Sequence, residues 1–257
     1  MFEDQRLDGK VVIVTGATQG LGAAIARRAH ALGASLVITG RDERRGAAVA
    51  EELDARFVAA DLADPAAAET IVGACDRLDG LVNAAGLSTR GTIDDTSVEL
   101  WDRLFAINAR APFLLTQQAA RLMRRNPGGG SIVNIITMAS HGGEPMLTAY
   151  AASKGALATF TRNAGYSLQP DRIRVNGLNI GWTATEGENT VQGGEDWLAE
   201  ADASRPFGRL LRPDDIAPMV TYLLSDAAQM VTGSVIDFDQ TVHGPYGSHV
   251  QPMEVAT

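Results

Sequence analysis

The chain is 257 residues long, 45% apolar and 21% charged, which is enough to bury a large core and ordinary for a globular protein in water. Twenty-two basic against 31 acidic side chains leave a net charge of −9, which argues against nucleic-acid and anionic-membrane partners. The single cysteine, Cys75, excludes an internal disulfide; without a cluster of Cys and His it makes no metal site, and it reads as a buried apolar residue.

The leading "MFEDQRLDGK" is polar and acidic, unlike a signal or transit peptide, and no apolar run is long enough to span a bilayer, so a cytoplasmic location is expected. The apolar run at 11–14, the glycine turn after it, a helix expected over 20–32 and a second apolar run at 36–39 make a βαβ unit of the usual length. Both strands are apolar throughout, as in a sheet covered on two faces. Further strands are predicted in "ARFVAADL", "LDGLVNAAG", "GSIVNIIT", "IRVNGLNI" and "GSVIDF", with helices over 43–54, 65–76, 98–125, 148–168 and 213–226. This alternation predicts an α/β fold, one doubly wound and mostly parallel sheet with helices on both faces. No repeat, Pro-rich linker or long charge run divides the chain, so 1–257 is taken as a single domain with a short polar lead over 1–6. The stretch 182–208 is rich in glycine and acidic residues and lacks a clear period; it is either a lid over a ligand or a surface excursion.

Two local patterns carry chemistry. In "TGATQGLG", Gly16, Gly20 and Gly22 lie between the first strand and the first helix, where glycine allows a tight turn and a pyrophosphate can sit on helix N–H groups. In "TAYAASKG", Tyr150 and Lys154 stand four apart in a predicted helix and so share one face.

Together with "NAAG" at 83–86 and Asn108 in "INARAPF", in this order and at these separations, the two patterns resemble the short-chain dehydrogenase/reductase family. The resemblance runs from about residue 7 to 241 and takes in "RIRVNGLNIG" and "PFGRLLRPDDIA". It implies a Rossmann-type domain of roughly seven strands, an NAD(P) coenzyme, interconversion of a secondary alcohol and a ketone or aldehyde, and a homotetramer. Carried over residue by residue, Gly16, Thr18, Gln19, Gly20, Leu21 and Gly22 match the pyrophosphate turn, and Asp61 with Leu62 matches the adenine contact. Asn83, Ala84, Ala85 and Gly86 match the strand end flanking the coenzyme, while Gly181, Thr183 and Thr185 match the segment near the nicotinamide and phosphates. Each has a plainer alternative: Asn83 as a satisfied strand-end amide, Thr185 as a loop hydroxyl.

Charge at the end of the second strand decides which coenzyme is preferred. The position that is Asp in NAD-preferring relatives is Gly40, and Arg41 follows it, which favours NADP(H) over NAD(H). Asp42 remains a candidate acid, and Gln19 stands where NADP enzymes often carry a second cation.

The resemblance also assigns the acid–base chemistry. Tyr150 exchanges a proton with the substrate oxygen, Lys154 beside it stabilises the phenolate and holds the ribose, and Asn108 anchors a relay water. The family's substrate-binding serine, thirteen residues before the tyrosine, is here Thr137, whose hydroxyl can donate but whose methyl group crowds the site; Ser140 is the other candidate donor. Ile180-Gly181 replaces the family's usual Pro-Gly.

A substrate pocket is expected from Ser88, Arg90, Ser140, His141, Glu144, Met146, Trp182 and Glu186, whose polarity suits a sugar or polyol. His141 as a supporting hydrogen-bond partner and Trp182 as lid packing are the alternatives. A rival activity is 3-oxoacyl-(acyl-carrier-protein) reduction, with Arg121, Arg124, Arg125 and Arg172 as a docking patch for the acidic carrier. A non-catalytic alternative is an NADP(H)-binding redox sensor or regulatory subunit.

Overall fold

Val11–Thr15 (β1) and Ser35–Gly40 (β2) run parallel with Val11 opposite Ser35 and Thr15 opposite Thr39, joined by the helix Gly20–Ala31 (α1). Alternate residues of β1 go to opposite faces, as a pleated strand requires: Val12 and Val14 enter one apolar layer and Ile13 the other. The same unit repeats along the chain. Glu43–Glu52 (α2) leads to Arg56–Ala59 (β3), Ala67–Val72 (α3) to Gly80–Asn83 (β4), and the helices Val98–Phe105 (α4) and Ala111–Met123 (α5) to Gly130–Ile135 (β5). Thr148–Ser167 (α6) precedes Ile173–Ile180 (β6); Glu195–Ala203 (α7) and Pro213–Leu224 (α8) precede Val235–Phe238 (β7). This computed structural model describes residues 3–185 and 195–241.

The strands form one seven-stranded parallel sheet in the order β3-β2-β1-β4-β5-β6-β7. α1 and α8 cover one face through Ile25, Ala29, Ile216, Val220 and Leu223. α3 and α5 cover the other through Ile71, Leu115, Ala119 and Met123, with Ala164 of α6. The fold is Rossmann-like and doubly wound, as expected. The order reverses direction between β1 and β4, so the carboxyl ends of these strands open a crevice for a ligand.

Three local expectations need correction. The helix expected over 98–125 is broken by a π-helical turn, Ala106–Arg110. Pro112 supplies the physical reason: it has no N–H to return to the carbonyl of Asn108 four residues earlier, so the α-helical ladder must skip. A helix, α7, forms inside the stretch taken as irregular; it buries only Ala201, against Ala184 and Leu210, which is why no period announced it. Cys75 is half-buried rather than buried, its Sγ donating to the Val72 carbonyl, and burial pushes its thiol pKa up. No helix among the described residues is long and apolar enough to cross a membrane.

Candidate active site

Gly16 ends β1 with φ at +67°, a left-handed backbone that favours glycine, and a Cβ there would lie 2.8 Å from the Cα of Ala85. A Cβ on Gly22 would collide with the Gly16 carbonyl oxygen. The turn 16–22 is therefore folded tightly on itself and against Ala85. Thr15 fastens this corner: its buried hydroxyl donates to the Val82 carbonyl at 3.3 Å and accepts from the N–H groups of Ala84 and Ala85, both at 3.1 Å. Thr185 comes over the same turn, two of its carbons 3.7 Å from where a Gly20 Cβ would be. Residues from three separate parts of the chain, 16–22, 83–86 and 185, thus converge.

Asn83 is buried at the end of β4 and is held there as a strand-end amide. Its Nδ2 donates to Asn134 Oδ1 at 2.7 Å, and Asn134 Nδ2 donates to Thr161 Oγ1 at 2.9 Å, a polar ladder tying β4, β5 and α6. Asp61 is exposed and accepts from the Ala63 N–H, while Arg110 of the π-helical turn donates to the Ala63 carbonyl at 2.6 Å and steadies this loop. Leu62 packs against the apolar layer under α3 and α5, and Leu21 against the one under α1 and α8. Thr183 donates to the Gly181 carbonyl and bridges in parallel to Leu211. A Cβ at Gly181 would meet the side chain of Asp239.

Lys154 is 4% exposed and donates from Nζ to the Ile135 carbonyl at 2.7 Å. Burial pushes its pKa down to about 8. Only one of its ammonium hydrogens has a protein acceptor among the described residues, so the group can still donate to a ligand. Tyr150 is half-buried one helical turn earlier on the same face of α6. Gly86 faces these groups: a Cβ there would be 3.5 Å from Lys154 Nζ and 3.6 Å from Asn108 Oδ1.

Asn108, fully buried on the π-helical turn, clasps the backbone of Leu87: Nδ2 donates to its carbonyl and Oδ1 accepts its N–H, each at 2.9 Å. Asn108 Nδ2 also donates to Ser153 Oγ at 3.0 Å, and Ser153 Oγ donates to the Tyr150 carbonyl at 2.7 Å. Ser153 was not among the expected site residues. Its signal was slight, a serine directly before Lys154.

Thr137 caps the short 3-10 turn Met138–His141, its Oγ1 accepting from Ala139 N–H at 3.3 Å, and its own O–H has no acceptor among the described residues. Ser140 differs: its hydroxyl donates to Asn179 Oδ1 at 3.2 Å. His141 Nε2 lies 3.0 Å from Asp237 Oδ1 and 3.2 Å from Asn179 Nδ2, so this imidazole is held by β6 and β7. Trp182 packs on Trp197 of α7, ring centroids 5.3 Å apart, with the Arg205 guanidinium 5.1 Å above it. The loop after 83–86 is joined to the segment before α6 through Gly91 N–H to the Met146 carbonyl and Thr148 N–H to the Gly91 carbonyl. Ser88, Arg90, Glu144 and Met146 are exposed on those two segments. Glu186 lies outside the described residues, as does 186–194 of the expected lid.

The four arginines considered for carrier docking sit elsewhere. Arg121, Arg124 and Arg125 end α5 just before β5 begins, and Arg172 directly precedes β6, so all lie at the amino ends of the strands, opposite the crevice. Arg124 is paired with Asp171 at 2.8 Å.

The coenzyme's groups fit what these residues offer: a turn with glycine at 16, 20 and 22, a glycine over a buried ammonium, and an ammonium with hydrogens to spare. Residues 16–243 match a family described as "Enoyl-(Acyl carrier protein) reductase". The chain is 33% identical to an "NADP-dependent (R)-specific alcohol dehydrogenase" of Lentilactobacillus kefiri, covering 89% of this chain and 94% of that one. It is 34% identical to a "Cyclopentanol dehydrogenase" of a Comamonas species, covering 91% and 97%. A solved structure of a "short chain dehydrogenase/reductase family protein" superposes with a TM-score of 0.85 at 37% identity, covering 91% and 97%. Motifs, sheet order and these likenesses agree, and the chain belongs to the short-chain dehydrogenase/reductase family of NAD(P)-dependent oxidoreductases acting on CH–OH groups.

Proposed function

We propose that this protein interconverts a polar secondary alcohol, of sugar or polyol type, and its ketone with NADP(H), using Tyr150 as proton donor and acceptor, Lys154 as its electrostatic partner, Thr137 as the substrate-oxygen donor and Asn108 as the anchor of the proton relay. When bound, the nicotinamide supplies or accepts the hydride. The substrate oxygen gains negative charge as the carbonyl is reduced, and the Tyr150 hydroxyl passes it a proton. An ammonium beside a phenol favours the phenolate, so Lys154 eases that transfer, and its spare hydrogens bind the ribose. Asn108 is fixed by three hydrogen bonds, so the π-helical turn that carries it stays in place during turnover. The observation that carries the reading is the contrast between two hydroxyls: Ser140 spends its hydrogen on Asn179, and Thr137 keeps its own for a ligand.

Replacing Thr137 by valine keeps its shape and removes the donor, and kcat/KM for ketone reduction is expected to fall about 100-fold; Ser140→Ala is expected to stay within about threefold. Steady-state kinetics of the two variants check this, and equal losses would return the assignment to both hydroxyls.

Three features support NADP(H). A Cβ on Gly40 would lie 2.5 Å from Thr18 Cγ2, so an aspartate there needs Thr18 to move. Asp42 is occupied as the N-cap of α2, accepting the Arg45 N–H at 2.9 Å, which holds its carboxyl below the usual range. Arg41 is exposed beside the turn. Initial rates over a panel of ketones and aldehydes with each coenzyme test both parts of the proposal: NADPH should give the higher kcat/KM by at least about tenfold, scaled to one or two charge-assisted hydrogen bonds. Absence of turnover with every carbonyl, alongside intact coenzyme binding, would favour the sensor reading.

The carrier-protein reading loses its docking argument, since the arginines it needs face away from the crevice. A cytoplasmic homotetramer formed from residues 1–257 as one domain is the assembly we infer. A groove of about 630 Å³ between α4–α5 and α6, lined by Phe105, Phe113 and Phe160, supports it as a surface for a second copy of the chain.

A further inference from the structure

We propose that Arg45, acting with Arg41, grips the 2′-phosphate of NADP(H), so that the first turn of α2 supplies the second cation missing from the pyrophosphate turn at Gln19. The inference rests on the coenzyme preference proposed above. Position 19 carries an amide, yet the corner it occupies is not without charge: the Arg45 guanidinium reaches back from α2, and its Nη1 donates to Gln19 Oε1. The Nε of Arg45 pairs with Asp42 Oδ2 at 2.7 Å, and its N–H is capped by the other oxygen of the same carboxylate. Asp42, the acid that would repel a phosphate, is thus turned toward α2 and used to aim an arginine. The remaining guanidinium nitrogen, Nη2, has no acceptor among the described residues.

Arg45 is 48% exposed, so a ligand can reach it, and its two contacts remove much of the rotamer freedom that a long side chain otherwise loses on binding. Arg41, Arg44 and Arg45 outnumber Asp42 and Glu43 at this corner, a local positive excess on a chain whose net charge is −9. Such a spot steers a doubly charged phosphate in preference to a ribose hydroxyl.

The same contacts would also suit a purely structural Arg45, a brace that pins α2 to the pyrophosphate turn. The two roles differ in which coenzyme they affect, because NADH and NADPH share the pyrophosphate and only NADPH has the 2′-phosphate. The test measures dissociation constants of NADPH and NADH by nicotinamide fluorescence, a readout independent of turnover, for the unaltered protein and for Arg45→Ala, Arg45→Lys and Arg41→Ala. The expected result is that Arg45→Ala weakens NADPH about tenfold and NADH less than about twofold, Arg45→Lys falls between, and Arg41→Ala behaves like Arg45→Ala. If Arg45→Ala weakens both coenzymes alike, or neither, the clamp is overturned while the NADPH preference stands. If the unaltered protein binds NADH as tightly as NADPH, the preference itself fails, and the clamp with it.

Discussion

Tyr150→Phe is expected to lower kcat for ketone reduction by a factor of about 1,000, within the usual range for losing a positioned acid–base group, and to leave the dissociation constant of NADPH within about threefold. Phenylalanine keeps the ring, and with it most of the packing of a half-buried residue on α6. What is lost is the hydroxyl with its proton. Without it the developing alkoxide keeps the Thr137 hydrogen bond but must draw its proton from water, which lacks both the position and the neighbouring ammonium. Single-turnover rates with saturating NADPH isolate the chemical step from product release. A variant that retains more than about a tenth of the rate would mean that another group carries the proton.

Lys154→Met is expected to separate activity from stability. Turnover should fall about 100-fold or more, because the phenolate loses its counter-charge. The unliganded fold, by contrast, should gain at pH 7. Lys154 is buried, with its pKa at about 8 in place of the ordinary 10.5, so holding it charged at neutral pH costs about 3 kcal/mol. Methionine removes that cost but leaves the Ile135 carbonyl without its donor, which returns about 2 kcal/mol, for a net gain of about 1 kcal/mol. The sign depends on pH. Below about 8 lysine is protonated folded and unfolded, and the full penalty applies; between about 8 and 10.5 the folded chain binds fewer protons, so the wild type gains stability as pH rises. Near pH 10.5 the wild type should therefore be the more stable of the two. Urea unfolding of both proteins at pH 7 and pH 10 checks the reversal, and a constant difference at the two values would show that burial does not oppose the charge.

The strands were legible because they are apolar on both faces, and β6 falls over the same eight residues that its sequence pattern delimits. The shared face of Tyr150 and Lys154 was equally legible, being a property of one helix. Pairings across sequence distance escaped. Spacing from the tyrosine already favours Thr137 over Ser140; what a line of text hides is that Asn179 and Asp237, on strands far along the chain, take the Ser140 hydroxyl and the neighbouring imidazole. Thr15 opens the glycine motif and Ser153 directly precedes Lys154, but neither pattern shows their work, which is to hold backbone at 82–85 and the carboxamide of Asn108. The signal for Arg45 was a mere third basic residue on an exposed helix end, and only the meeting with Gln19 gives it meaning.

The widened turn at 106–110 also bears on how this protein can change. Each residue added to or removed from a helix rotates the remainder of that helix by about 100°, so deleting a single residue between Phe105 and Asn108 would swing the carboxamide at 108 off Leu87, while Pro112 would still interrupt the ladder. Hydrophobic content and helix length would scarcely alter. In this segment the reading frame of the helix is itself a functional element.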